Sequence, residues 1–167
     1  MFVRIGELLV QRGVLTQRQV QRILEQQKET SRPFGDLAER LFGVDPTDVE
    51  QAWVDQYATQ AQHVDVTREE TDPKALRLVD RRQAWQFRIM PLRFSGGELM
   101  LATTAENLCR ALRFVTRCLN VPCYLVLTES PLLGQALEKH YAIGGFSAET
   151  VESGPPTPIG ILNEEAA

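Results

Sequence analysis

The chain has 167 residues, of which 43% are hydrophobic and 24% are charged, and its formal net charge at pH 7 is −4. That length suits one ordinary domain or two small subdomains, with enough apolar residues for a core and enough charged residues for a solvated surface. The acidic balance argues against a nucleic-acid duplex as partner, because duplex binding usually needs a basic face, but it leaves room for a small anionic ligand.

Helices are predicted for the first 62 residues, beginning with two short ones. Apolar residues recur at helical spacing over residues 5–12, and Gly13 is placed to end that helix. Thr16, with Gln19 three residues later, has the pattern of a capping box, which predicts the start of a second helix.

A second pair of helices is expected to follow. The third is predicted over about residues 33–42, with Gly43 as its end. Asp45 and Pro46 then have the pattern of an N-cap and a first-turn proline, which predicts a fourth helix.

From about residue 63 the pattern is typical of a small α/β layer. Residues 88–102 alternate around Ser95-Gly96-Gly97, which predicts a β-hairpin with a glycine turn. The other predicted elements are a short strand at 63–66, helices at 72–79, 81–87, 106–117 and 130–141, and a strand at 122–127.

The last segment differs in composition, being rich in Ser, Glu and Pro and lacking periodicity. We therefore predict a disordered tail over residues 145–167. Its apolar island at 159–162 is either a strand that docks on a partner's sheet edge or a segment without a role.

The predicted fold class is thus α+β. A four-helix tandem repeat of two helix-turn-helix units, at residues 1–62, packs on a small α/β subdomain with a hairpin-containing sheet, at residues 63–144.

A duplication in the first 62 residues supports the repeat. Gly6 and Gly35 are 29 positions apart, whereas Gly13 has its counterpart at Gly43, one position late. The same spacing of 29 joins Val20 to Val49, Leu24 to Trp53 and Gln27 to Gln56.

A plain duplicated helical hairpin, with glycines as caps or close-packing positions, explains most of the apolar residues. It explains less well why Gln27 and Gln56 lie on apolar stripes, since a buried amide is costly without a partner.

The residues from Arg4-Ile5-Gly6 to Gln27 resemble the tandem motif of the MshEN family, and the hairpin with the two helices after it resembles the second half of that domain. The resemblance spans roughly residues 1–143. Members of this family occur at the N-terminus of type II secretion and type IV pilus assembly ATPases, and are also attached to other bacterial proteins. Because the sequence lacks the phosphate-binding loop of such an ATPase, we expect a free-standing copy of the domain here.

The resemblance implies binding of cyclic di-GMP. Arg4 would fork onto the acceptor edge of guanine or stack on its face, Gln27 would supply a donor and an acceptor, and the glycines would admit the ligand closely. The implied ligand-binding residues are Arg4, Ile5, Gly6, Leu9, Val10, Gly13, Val20, Leu24, Gln27, Arg32, Phe34, Gly35, Leu37, Gly43, Val49, Trp53 and Gln56.

The second unit departs from the family pattern. Pro33 stands where a donor is usual, although Arg32 lies beside it, and Gly43 is displaced by one position. Trp53 replaces a smaller aliphatic residue, so it either blocks the second half-site or forms a stacking wall.

Signals of catalysis and of metal binding are missing from the sequence. It has no phosphate-binding Gly-x-x-x-x-Gly-Lys loop and no Gly-x-Ser-x-Gly elbow, and neither His63 nor His140 has a second ligand at metal spacing. Cys109, Cys118 and Cys123 lack the spacing of a zinc knuckle and are read as reduced thiols. We expect a non-enzyme with neither metal nor cofactor.

No apolar run approaches the roughly 20 residues that cross a bilayer, and charge appears at once in residues 1–7, unlike a signal peptide. A cytoplasmic location without membrane insertion is therefore expected.

Two functions remain open. The first is a cyclic di-GMP sensor whose state is read by a protein of a secretion, pilus or surface-associated system. The alternative is a ligand-free adaptor that docks on a secretion, pilus or motility component.

Overall fold

The computed structural model describes residues 4–45, 47, 50, 54, 57 and 60–152. Its helices precede and cover a three-stranded sheet, which confirms the α+β class. In chain order the elements are α1 Ile5–Gln11, α2 Gln17–Thr30, α3 Phe34–Phe42, α4 Pro73–Leu76, α5 Arg81–Phe87, β1 Met90–Ser95, β2 Glu98–Thr103, α6 Leu108–Cys118, β3 Cys123–Leu127, α7 Ser130–His140 and α8 Ala148–Glu152.

The ends of the first helices follow the local signals. Thr16 and Gln19 form the predicted capping box, with Thr16 N–H donating to Gln19 Oε1 at 2.8 Å and Gln19 N–H donating to Thr16 Oγ1 at 3.2 Å. Gly43 directly follows α3 and Gly13 lies two positions after the end of α1. Their φ values of 66° and 70° are in the left-handed region that glycine tolerates best.

The fourth predicted helix is described only in part. Thr47 N–H donates to Asp45 Oδ1 at 2.8 Å, as an N-cap at Asp45 requires. Thr47, Glu50, Val54 and Tyr57 are helical. Val49, Trp53 and Gln56 lie outside the described residues, so the tandem four-helix repeat stays a prediction.

The sheet has the order β1-β2-β3. β1 and β2 form the predicted antiparallel hairpin, turning at Gly96 and Gly97 with φ values of 60° and 81°. β3 pairs in parallel with β2, from Leu99 opposite Cys123 to Thr103 opposite Leu127. The α6 crossover connects these two parallel strands.

The strand predicted at 63–66 is wrong, because this segment forms only an isolated bridge between His63 and Leu127. Val64 N–H donates to the Leu127 carbonyl at 2.8 Å, and Asp65 then turns the chain by accepting from Thr67 N–H at 3.0 Å. The turn ends the pairing before a strand can form.

The predicted start of the tail is also wrong. The ring of Phe146 lies 5.4 Å from that of Trp85, Val151 in α8 is 5% exposed, and the Thr150 carbonyl accepts from Arg88 Nη2 at 3.1 Å. Residues 146–152 therefore pack on the α/β part. Contacts that are distant in sequence hold this segment, and its own sequence carries no periodicity that would reveal them. Residues 153–167 are not described.

Within the described ranges, no helix is long and apolar enough to span a membrane.

Candidate functional site

A pocket of about 540 Å³ lies between α1, α2, the start of α3 and one end of the sheet. Its volume falls in the range of small-molecule sites, roughly 300–1,000 Å³. The lining residues are Arg4, Gly6, Glu7, Val10, Gln11, Gln17, Val20, Gln21, Leu24, Glu25, Gln27, Lys28, Phe34, Glu98, Val115, Val121, Pro122 and Cys123.

Arg4 is fixed at the mouth of this pocket by its backbone and its side chain. It is the N-cap of α1 and forms an antiparallel bridge with Tyr124 of β3. Its Nε lies 2.8 Å from Glu98 Oε2, and its Nη1 lies 3.7 Å from Glu7 Oε1. The side chain of Arg4 is 53% exposed and that of Glu98 is 16% exposed. Burial raises the pKa of Glu98, and the neighbouring Arg4 partly offsets that rise.

Gly6 brings α1 against α2. A Cβ at this position would lie 2.5 Å from Val20 Cγ1, so no larger residue fits without a shift of Val20. Gly6 and Val20 both line the pocket, and their contact sets how close its two helical walls lie.

Gln27 is the most buried polar side chain of the pocket lining, with 2% exposure. Its Nε2 donates to the Arg32 carbonyl at 3.3 Å. Its Oε1 is buried and accepts no hydrogen bond from the residues that are described. A buried acceptor left unpaired costs about 1–3 kcal/mol, which is the pattern of a group that is completed by a ligand or a water.

Seven of the predicted ligand-binding residues line this one pocket, namely Arg4, Gly6, Val10, Val20, Leu24, Gln27 and Phe34. Leu9 and Leu37 lie in the core instead, with 0% and 4% exposure. Gly13 and Gly43 serve as helix ends, and the side chain of Ile5 is not described.

Among the described residues of the second unit, Phe34 lines this pocket and Gly35 does not. Gly35 lines a separate space of about 440 Å³ with Asp36, Glu39 and Arg117. A Cβ on Gly35 would lie 2.8 Å from the backbone carbonyl oxygen of Thr116, so this glycine admits close packing on α6.

Asp36 is the hub of a surface ion-pair network beside this second space. Arg32 Nη1 lies 3.1 Å from Asp36 Oδ2, and Arg40 Nε lies 2.9 Å from Asp36 Oδ1. The hydrogen bond from Arg40, with that from Arg32, lowers the pKa of Asp36. Arg32 is thus paired outside the main pocket.

Part of the lining comes from the α/β part, and the sequence did not single out those residues: Glu98, Val115, Val121, Pro122 and Cys123. The register of the sheet places Leu99 opposite Cys123, which brings the starts of β2 and β3 together at the pocket. No local sequence signal reports this juxtaposition. Burial raises the pKa of the Cys123 thiol well above its usual value, so this thiol is a poor nucleophile.

In the part of the chain that is described, no group of three His, Cys, Asp or Glu residues could hold a metal ion.

The family model of the MshEN domain matches residues 57–146, more than half of the chain. The chain therefore belongs to the MshEN domain family. Five lining residues, Glu98 to Cys123, fall inside the match, whereas α1 and α2 lie before it.

A solved structure described as the structure of MshE with cdg is similar at 23% sequence identity and a TM-score of 0.43. The similarity covers 83% of this chain and 99% of that chain. No curated protein matches the chain.

Proposed function

We propose that this chain is a non-catalytic regulatory module that binds cyclic di-GMP in the pocket between α1, α2 and the sheet. We place it in a secretion, pilus or surface-associated system, where a partner protein reads its ligand state. The observation that carries the proposal is Gln27, which is buried in the lining of that pocket with an unpaired Oε1. Two things support the choice of ligand: the chain belongs to the MshEN domain family, and its residues from Arg4 to Gln27 resemble the tandem motif of that family.

The walls of the pocket suit a flat nucleobase. Val10, Val20, Leu24 and Phe34 from the helices, with Val121 and Pro122 before β3, supply apolar surface to the lining. A base held between such walls leaves its edges for polar groups. The pocket then supplies Gln27 at its buried end and Arg4 at its mouth.

The charges of the described lining do not attract an anion. Glu7, Glu25 and Glu98 outnumber Arg4 and Lys28, and the whole chain is acidic as well. A cyclic dinucleotide carries two negative charges, so we expect its binding free energy to come from the base and its edges rather than from its phosphates.

Isothermal titration calorimetry with cyclic di-GMP tests the proposal. The parent protein should bind, and Arg4→Ala should bind about tenfold to a hundredfold more weakly, since a forked contact with guanine is worth about 1–3 kcal/mol. Arg22→Ala is the matched control, because Arg22 is exposed on α2 and does not line the pocket.

Absence of binding by the parent at high micromolar cyclic di-GMP would overturn the proposal and favour a ligand-free adaptor. Equal affinities for the parent and Arg4→Ala would show that the ligand occupies another site.

A further inference from the structure

The ion pair at the mouth of the pocket places a donor group and an acceptor group side by side. Arg4 Nε forms an ion pair with Glu98 Oε2 at 2.8 Å, and both side chains line the pocket. Nη1 lies 3.7 Å from Glu7, beyond hydrogen-bond distance, so the outer fork of the guanidinium keeps its donors for a ligand.

This arrangement has the polarity of one particular base edge. Guanine carries the acceptors N7 and O6 next to the donors N1–H and N2–H₂ on the same plane. An arginine fork suits the acceptors, and an ionised carboxylate, which only accepts, suits the two donors. Adenine presents an acceptor at N1, which a carboxylate would repel.

We propose that Glu98 is a specificity-determining residue that accepts hydrogen bonds from N1–H and N2–H₂ of guanine while Arg4 donates to its acceptor edge. The inference rests on the proposed function and adds a base-reading role for a residue of β2. It predicts that the pocket prefers guanine over adenine, and also over hypoxanthine, which keeps N1–H but lacks the N2 amino group.

An ordinary surface ion pair is the competing explanation of the same contact. It predicts that Glu98 orients Arg4 and touches no ligand. Both roles lower affinity when Glu98 is changed, so affinity alone cannot separate them. The dependence of affinity on the N2 amino group separates them, because only a direct contact with that group can be lost with it.

The experiment compares cyclic di-GMP with cyclic di-IMP, its hypoxanthine analogue, by calorimetry on the full chain. The parent should favour cyclic di-GMP about tenfold or more, as expected for a lost hydrogen bond to a charged acceptor. Glu98→Gln should reduce that preference to about threefold or less. Glu106→Gln, an exposed change outside the pocket, should keep the full preference.

Glu98→Asp provides a second test with the charge retained, and its shorter side chain should give a preference between those of the parent and Glu98→Gln. If the parent binds cyclic di-GMP and cyclic di-IMP equally well, the proposed contact of Glu98 with guanine is wrong, whereas the proposed function stands. The same conclusion follows from a preference that survives Glu98→Gln. A parent that binds neither ligand overturns the proposed function itself.

Discussion

The hydroxyl of Tyr57 forms hydrogen bonds with both backbone polar groups of Leu125, donating to its carbonyl at 2.7 Å and accepting from its N–H at 2.6 Å. Tyr57 is fully buried, so this side chain satisfies a stretch of the β3 edge that no strand covers in the described structure. Burial raises the pKa of Tyr57 well above its usual value, which keeps the hydroxyl protonated.

Tyr57→Phe should therefore lower the free energy of unfolding by about 1–3 kcal/mol, because it leaves a buried N–H and a buried carbonyl without this partner. Urea denaturation at pH 7 measures the loss. Tyr141→Phe is the control. The hydroxyl of Tyr141 donates to the Leu76 carbonyl at 2.6 Å in a bond that is only partly buried. Tyr141→Phe should therefore lower the free energy of unfolding by less than Tyr57→Phe does. Equal losses in the two variants would contradict this account.

The two glycines near the starts of α1 and α3 should respond differently to alanine. The new Cβ of Gly6→Ala would lie 2.5 Å from Val20 Cγ1, so this change should lower the free energy of unfolding of the parent by about 1–3 kcal/mol. In a Val20→Ala background, where Cγ1 is absent, the same change should have little effect. Gly35→Ala meets the Thr116 backbone oxygen at 2.8 Å, so Thr116→Ala should not rescue it. Double-mutant cycles by denaturation check both, and rescue of Gly35→Ala would show that α3 can shift.

Gln27→Leu should separate stability from binding. It removes the unpaired buried Oε1 at nearly constant volume, but it also removes the 3.3 Å hydrogen bond from Nε2 to the Arg32 carbonyl. Because these two effects oppose each other, the free energy of unfolding should change by less than about 1 kcal/mol. Cyclic di-GMP affinity should fall. Thermal unfolding and calorimetry on the same sample give both quantities, and a clear loss of stability would mean that the amide is already satisfied without ligand.

Arg88 should control the packing of α8. It is 1% exposed, donates to the Trp85 carbonyl at 2.7 Å and to the Thr150 carbonyl at 3.1 Å, and burial with the nearby Arg110 lowers its pKa to about 10. Arg88→Met should speed hydrogen exchange of the amides at 148–152 several-fold. Arg82→Met, on the exposed face of α5, should leave them unchanged.

If hydrogen exchange of the amides at 148–152 is unchanged in Arg88→Met, apolar contacts rather than Arg88 hold α8 in place. The ring of Phe146 against Trp85 and the buried Val151 are those contacts.

Salt should have little effect on the affinity for cyclic di-GMP. The described lining has more carboxylates than cations, so raising NaCl from roughly 50 mM to roughly 500 mM screens repulsion as much as attraction. Calorimetry at several salt concentrations should show a change of about twofold or less. A steep loss of affinity with salt would show that cations hold the phosphates.

Local signals allowed much of the fold to be predicted. The capping box at Thr16 and Gln19 and the hairpin turn at Gly96 and Gly97 each depend on a few adjacent residues, and the structure has them where the sequence predicts them. The strand predicted at 63–66 did not form because pairing with Leu127 stops after one bridge, where Asp65 turns the chain.

The candidate site was predictable only on its helical side. Arg4, Val20 and Gln27 stand in a repeat that the sequence displays, whereas Glu98 and Pro122 reach the pocket through sheet register. Register is set by pairing across the sheet and leaves no periodic trace near either residue.

The pocket is lined by two stretches of the chain that are far apart in sequence, which limits how it could be transferred to another protein. One wall is encoded before residue 45 and the other between residues 98 and 123, so neither stretch of gene encodes the whole pocket. Grafting the helical stretch onto a foreign protein would transfer a motif without its opposing face. Recombination within the intervening stretch would separate the two faces, so any transfer of the pocket has to keep both stretches together.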